Sequence, residues 1–404
     1  MATRSWQRAI PVGLVAFAYA LALWQRPGDA TSDTKIDLHV DPGGFLRDVA
    51  SVWTSTGSLG HLQGGQYGGY LWPMGPFFAL GHAIGLEEWL VQRLWLGTVL
   101  ALLAYGVVRL LDDLLERERG AAHLAAGAIA LLNPYVVVFT NRTSITLLAY
   151  AALPWLMLAV HRGAQRPRSW LWPAVFALVL TTAGGGVNAG VLAWVLLAPL
   201  MLLLYEPLVG GTTWKASRGF AWRTVITSSV ASAWWVVPLL VQTRYGIDFL
   251  RFTEQPGTIW GTTSSTESLR LMGYWVSYIG VGFSGRPLPY FDDSHTMLFS
   301  APVLVASLVV PGLALAGFAW TRRWRYGPLF LALVLVGLIV MIAGFPEGTP
   351  LRRALTAGYF RVDAVQFLRT PSSASRGASW PGSARRCWTS ASVVLCRSTA
   401  WRWA

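Results

Sequence analysis

Five aspartates, Asp29, Asp33, Asp37, Asp41 and Asp48, fall within twenty residues just after the first apolar run of the chain, with Lys35 between two of them. Carboxylates held just outside a bilayer can take a proton from a hydroxyl nucleophile or ligate a divalent cation. The same acids also suit a solvated loop with no chemistry. Asp33 stands out because the loop from Gln25 keeps it close to the end of a helix, a rigid platform, whereas Asp41 followed by Pro42 reads as a turn or a helix start, a structural role. A second acid, Glu254, precedes Gln255 and Pro256 in a turn. Arg244 and Arg251 flank it and can hold a phosphate while the acid works; pairing of a surface Glu254 with Arg251 is the plainer alternative. Asp292, Asp293 and His295 form another polar knot, which suits capping of the helix that follows.

These groups must be positioned by apolar elements. Hydrophobic side chains make up 54% of the 404 residues and charged ones 13%, about half the share of a soluble domain, and mean hydropathy is +0.45. Such a chain is a membrane protein. Its formal charge of +13 therefore speaks of membrane orientation rather than of nucleic acid. The two cysteines, Cys387 and Cys396, lie near the end of the chain, and the six histidines show no HExxH spacing, so a disulfide framework and a zinc hydrolase are both disfavoured.

Runs long enough to cross, or nearly cross, ~30 Å of hydrocarbon are Ala9 to Trp24, Trp89 to Leu111, Ala121 to Thr140, Ser144 to Val160, Trp170 to Ala183, Val187 to Tyr205, Thr224 to Gln242, Met297 to Trp320 and Pro328 to Phe345. The first reads as a retained signal anchor. Tyr70 to Leu86, interrupted by Gly and Pro, is assigned as interfacial or re-entrant for a reason of parity. If it does not span, the clusters Arg4 and Arg8; Arg109, Arg117 and Arg119; Arg162, Arg166 and Arg168; Lys215, Arg218 and Arg223; and Arg322, Arg323 and Arg325 all fall on one side. Only Asp112, Asp113, Glu116, Glu118 and Glu206 accompany them there, as the positive-inside rule requires of a cytoplasmic face. The expected fold is thus an all-α polytopic bundle of roughly nine to eleven spans, N-terminus inside. An unassigned crossing near Leu271 to Gly282 would raise the count.

Two long outer loops result, Gln25 to about Glu88 and Thr243 to about Thr296. In the first, Phe45 to Trp53 has a weak amphipathic helical pattern, suited to a surface helix. The segment GHLQGGQYGGYLWPMGP that follows has the aromatic, glycine and amide content of a sugar or headgroup surface, or of an interfacial aromatic belt. Within the spans Asn133 and Pro134 interrupt one helix, and Gly184, Gly185, Gly186 and Asn188 separate two others. Carboxylates are nearly absent from the spans, which argues against a proton-coupled transporter. From Pro371 to Ala404 the chain has eight Ser, five Arg and four Trp with no Asp, Glu or Lys. This composition fits a disordered basic tail or an out-of-frame end, in which case the parent protein continues past Thr370. The domain division is therefore 1–370 for the membrane domain and 371–404 for the tail.

One helix, an acidic outer loop opening with DTKIDL, surface helices and then many spans resemble the GT-C superfamily of polyprenyl-phosphate-dependent glycosyltransferases. More closely, Asp33 to Leu38, ALLNPYVVVFTNRTS (Ala130 to Ser144), TTAGGGVNAG (Thr181 to Gly190), ASAWWVVPLL (Ala231 to Leu240) and RFTEQPG (Arg251 to Gly257) resemble the N-terminal membrane domain of the alpha-(1→3)-arabinofuranosyltransferases. The resemblance covers about residues 5 to 370, and members of that family are far longer. It implies a decaprenyl-phosphate arabinose donor, an arabinan acceptor of arabinogalactan and lipoarabinomannan, membrane lipids as surroundings, and an active site on the outer face of the plasma membrane. It also implies one inverting displacement, with Asp33 as the catalytic carboxylate, Asp37 as second choice, and Glu254 orienting the acceptor or sharing the role. Lys35, Arg244 and Arg251 would then offset the leaving phosphate. A divalent cation is compatible with these residues but not required by them. A non-catalytic lipid–carbohydrate transporter or a cell-wall assembly scaffold, including an inactive truncated transferase, is the competing expectation.

The charge map makes a direct prediction. With Cys387 and Cys396 replaced by Ser, single cysteines at positions 166 and 218 should stay unlabelled when a membrane-impermeant maleimide is added outside intact cells. Labelling at either position overturns the map.

Overall fold

The structure, a computed structural model, describes residues 2–246 apart from 25, 32, 34, 56–59, 63, 64, 116, 141 and 142; 267 and 269–271; and 296, 298–321 and 323–340. Glu254, Arg251, Asp292, Asp293, His295 and the tail 371–404 lie outside the described residues.

The helices in order are α1 (Ala2–Leu23), α2 (Ile36–Val40), α3 (Pro42–Val49), α4 (Gly65–Gly68), α5 (Met74–Ala83), α6 (Glu88–Leu115), α7 (Ala121–Leu132), α8 (Pro134–Thr140), α9 (Ser144–Gln165), α10 (Leu171–Thr182), α11 (Ala189–Leu208), α12 (Trp214–Tyr245), α13 (Ala301–Thr321) and α14 (Gly327–Val340). Between α3 and α4 two short antiparallel strands, β1 (Trp53–Thr54) and β2 (His61–Leu62), pair Trp53 with Leu62 and Thr54 with His61. Among the described residues α6, α9, α11, α12 and α13 are long and apolar enough to cross a bilayer. The pair α7 and α8, bent by 46°, adds a sixth crossing if it is one broken span. Shorter apolar helices occur in α1, α10 and α14. Among the described residues each run marked by hydropathy carries a helix, although α10, with 12 residues, reaches only ~18 Å.

Local chemistry explains the breaks. Asn133 uses its side chain at both sides of the α7–α8 bend: Nδ2 donates to the Ala130 carbonyl at 2.8 Å, and Oδ1 accepts from the Val136 amide at 3.1 Å. Pro134 then starts α8, where a missing N–H costs nothing. Asp41 accepts from the Gly44 amide at 2.8 Å and Pro42 is the first residue of α3, so the helix start read from Asp41–Pro42 is real. The Tyr70 to Leu86 region contains a 3-10 turn (Gly69–Leu71) and the ten-residue α5. Ten residues rise only ~15 Å, about half of the hydrocarbon thickness.

The bundle is built around α9. Its apolar window is 78% buried, against 11% for α12 and 6% for α13, which places α9 centrally and leaves the other two with their sides turned to the surroundings. Ile10, Leu14, Ala18 and Ala22 recur every four residues on α1 and are all buried, a stripe that matches helical periodicity. One core joins α1, α5, α6, α8 and the first half of α9; a second joins the far half of α9 to α10, α11, α12 and α14.

Polar ties gather at two ends. At the basic end Gln7 donates to Glu118 at 2.6 Å, Arg119 forks onto Asp112 at 2.8 and 2.6 Å, Arg162 pairs with Asp113, Thr212 donates to the Ala164 carbonyl at 2.9 Å, and Tyr205 donates to the Arg325 carbonyl at 2.6 Å. These bonds bring together the segments that charge counting assigned to one side. One acid departs from its expected setting. Glu206, counted with the loop acids, lies inside α11 and is fully buried, bonded to His161 Nδ1 at 2.6 Å and to the Tyr326 hydroxyl at 3.0 Å. Its partners come from α9 and the turn before α14, and a buried carboxylate is held by such bonds.

At the other end the first loop touches the turn between α10 and α11 backbone to backbone. A Cβ on Gly69 would lie 2.3 Å from the Gly186 carbonyl carbon and from the Val187 nitrogen, and one on Gly186 would lie 2.8 Å from the Gly69 Cα. Neither neighbour is a side chain that can swing away. Gly69→Ala should therefore lower stability by about 1–3 kcal/mol, read as a reduced unfolding temperature of the purified protein. An unchanged temperature would mean that the loop does not sit on this turn.

Candidate active site

Asp33 lies between α1 and α2 and is only 5% exposed. Ser144, the first residue of α9, donates to it twice: the backbone N–H to Oδ1 and the hydroxyl to Oδ2, both at 2.5 Å. The first amides of a helix lack intrahelical acceptors, and the positive end of the helix dipole favours an anion there. Behind Ser144, the Trp95 indole N–H of α6 donates to Ser144 Oγ at 2.8 Å. Burial nevertheless outweighs the two donations from Ser144, so the Asp33 carboxyl titrates above the ordinary range of an aspartate.

The backbone leading to Asp33 is clamped by the start of α6. Gln92 meets Thr31 as a strand neighbour would, accepting from its amide at 2.8 Å and donating to its carbonyl at 2.9 Å. Arg93 donates to the Asp29 carbonyl at 2.7 Å. Gln92 and Arg93 are each 2% exposed. Two polar side chains buried at the head of an apolar helix need partners, and the loop's backbone supplies them.

The other expected residues divide. Lys35 sits with its ammonium 4.3 Å from the centre of the Tyr67 ring, a cation–π contact. Asp37, in the first turn of α2, is exposed. Both share a short segment with Asp33, although Asp37 points no bond at it. Arg244, in the last turn of α12, is exposed and lies 5.6 Å from the Tyr245 ring centre, not on the Asp33 carboxylate. His39 on α2 packs edge-on against Phe78 at 4.7 Å, and burial pushes its pKa down, with Glu88 opposing. Among the described residues no three His, Cys, Asp or Glu side chains are grouped to hold a metal ion, and Asp33 spends one lone pair of each oxygen on Ser144.

Sequence reasoning missed Ser144, Trp95, Gln92 and Arg93. Ser144 closes one of the recognised stretches, yet nothing local links it to a residue 111 positions away. The adjacent pair Gln92–Arg93 inside an apolar run was a usable signal, because buried polar groups in a span mark a site.

A sequence model described as the N-terminal GT-C domain of alpha-(1->3)-arabinofuranosyltransferase matches residues 17–359. The alpha-(1->3)-arabinofuranosyltransferase of Mycolicibacterium smegmatis is 29% identical over 336 residues, covering 83% of this chain and 23% of that protein. Its counterpart from Mycobacterium tuberculosis is 29% identical over 351 residues, covering 86% and 23%. The chain thus spans about a quarter of the length of these relatives. The cryo-EM structure of arabinofuranosyltransferase AftD from mycobacteria superposes with a TM-score of 0.58 at 23% identity, covering 90% of this chain and 26% of that one. A mutant form of the same enzyme gives 0.54 at 25% identity, covering 91% and 27%. With a helical membrane bundle, the same fold and a family match over most of its length, the chain belongs to the alpha-(1->3)-arabinofuranosyltransferase family, as its N-terminal GT-C domain.

Proposed function

We propose that this chain carries the transferase centre of an inverting arabinofuranosyltransferase, working at the outer face of the plasma membrane with Asp33 as its base. The donor in this reading is decaprenyl-phosphate arabinose, and the acceptor is the arabinan of arabinogalactan and lipoarabinomannan, which gains an α-1,3 branch. The observation that carries the reading is the placement of Asp33: a buried carboxylate on the N-terminus of the central helix, with its loop clamped by α6.

The acceptor hydroxyl oxygen attacks the anomeric carbon while its proton passes to Asp33. The bond from that carbon to the phosphate oxygen breaks, and its electron pair leaves with the polyprenyl phosphate. A carboxylate offers about four lone-pair sites, so the two taken by Ser144 leave capacity for the proton. Lys35 supplies positive charge toward the phosphate, joined by Arg244 from the end of α12 and by Arg251, and Glu254 orients the acceptor or shares the proton. The exposed faces of Trp53, Tyr67 and Trp72 suit stacking on sugar C–H groups.

Asp33→Asn is expected to lower transfer by ~10² to 10⁴ with insertion and folding intact. An asparagine oxygen still accepts from the Ser144 amide, so the cap survives while the base is lost. The assay uses the purified chain with synthetic lipid-linked arabinose and a short arabinan. Full activity in the variant would reduce Asp33 to a helix cap and move the base to Asp37 or Glu254. The pH dependence has a fixed sign. A base must be ionised, so transfer should fall as pH drops through the raised pKa of Asp33, at a pH above the ~3.9 of an ordinary aspartate.

A further inference from the structure

The Asp33 carboxylate, the Ser144 hydroxyl and the Trp95 indole form a buried line of hydrogen bonds whose indole end can only donate. Asp33, Ser144 and Trp95 are 5%, 0% and 3% exposed. An indole N–H can only donate. Ser144 Oγ therefore accepts from Trp95 at 2.8 Å, and the single hydroxyl proton is directed to Asp33 Oδ2 at 2.5 Å. The backbone amide of Ser144 is likewise a donor only, and it faces Oδ1. Oδ1 of Asp33 thus always meets a proton, and Oδ2 meets the hydroxyl proton whenever Asp33 is ionised.

We infer that Trp95 and Ser144 are positioning residues that hold Asp33 as an acceptor-only carboxylate, ready to take the acceptor's proton. The inference rests on the reading of Asp33 as the base. A protonated Asp33 would have to turn its proton away from Ser144, or use the remaining Ser144 lone pair and swing the hydroxyl proton off the line, so the line favours the ionised form at a place where burial opposes it. It also fixes the rotamer, since both oxygens are anchored on one residue at the rigid head of α9.

Other charged groups around Asp33 have their own settings. Glu88 and Arg93 stand at the head of α6, with Arg93 on the Asp29 carbonyl. On the Asp33 segment itself Lys35 lies over Tyr67, Asp37 is exposed and His39 packs on Phe78. From α9 no charged side chain appears until His161 and Arg162 at its far end. All of these remain in the variants below, so a change on altering the line is assigned to the line.

The test is a pH titration of the full chain in detergent or nanodiscs by infrared difference spectroscopy. The protonated carboxyl band of Asp33 is identified by its loss in Asp33→Asn. Ser144→Ala, which keeps the backbone donor, should move the Asp33 midpoint up by about one pH unit or more, the size expected for losing a hydrogen bond to a charged group. Trp95→Phe frees the hydroxyl to rotate and should move it up by less. Ser144→Thr restores the donor and should return the midpoint. In the Ser144→Ala background, Trp95→Phe should add nothing, because Trp95 acts through the hydroxyl. The acid limb of kcat/KM for transfer should move with the midpoint. An unchanged midpoint in Ser144→Ala, or a Trp95→Phe shift that persists undiminished without the hydroxyl, overturns the inference while leaving Asp33 as the base. Full transfer by Asp33→Asn overturns the base reading itself, and the positioning role falls with it.

Discussion

A helix that begins inside a protein has amide protons with no partner of its own to receive them, and α9 meets that demand with a carboxylate from the first loop. The bond between Ser144 and Asp33 is therefore structural before it is chemical. The central helix of the bundle cannot start cleanly without an acceptor there, and the loop cannot fold at random while its aspartate is held. An interaction required for packing thus sets the place where a reactive group stands, at no additional cost in ordering.

The loop itself behaves as part of the bundle. Gln92 presents to Thr31 the same donor and acceptor pair that a neighbouring backbone would, and Arg93 takes the carbonyl of Asp29. Three points of attachment, at residues 29, 31 and 33, come from two helices that are far apart in sequence. Precision at Asp33 follows from this geometry, because a site held by rigid elements varies less in position than one on a free loop. The exposed aromatics beyond it, on the hairpin and around α4, sit on a platform that is anchored at both sides.

Much of this was legible in the sequence. Hydropathy located the apolar helices, and keeping the arginine clusters on one side required Tyr70 to Leu86 not to span; the helix in that region, α5, is ten residues long. Asp41–Pro42, Asn133–Pro134 and the glycines at 184–186 each marked a break through a local rule of capping or turn formation. What stayed hidden depends on distance along the chain. Ser144 looks like any serine at a helix start, and only the fold brings it to Asp33. Glu206 read as a loop acid because the apolar run stopped one residue before it, whereas the helix continues to Leu208 and carries the carboxylate inward to His161 and Tyr326. Arg244 read as part of the second loop, whereas α12 runs on to Tyr245 and carries Arg244 in its last turn.

Two glycines whose backbones touch exclude side chains from both positions at once. At Gly69 and Gly186 a mutation to anything larger is a loss that no change at the other position can repair, since the partner is already as small as a residue can be. Drift at such a pair is closed from both sides. The surface loop and the α10–α11 turn are thereby locked into shared descent: either can vary in its remaining residues, but neither can leave the contact without an insertion or deletion that moves the whole segment.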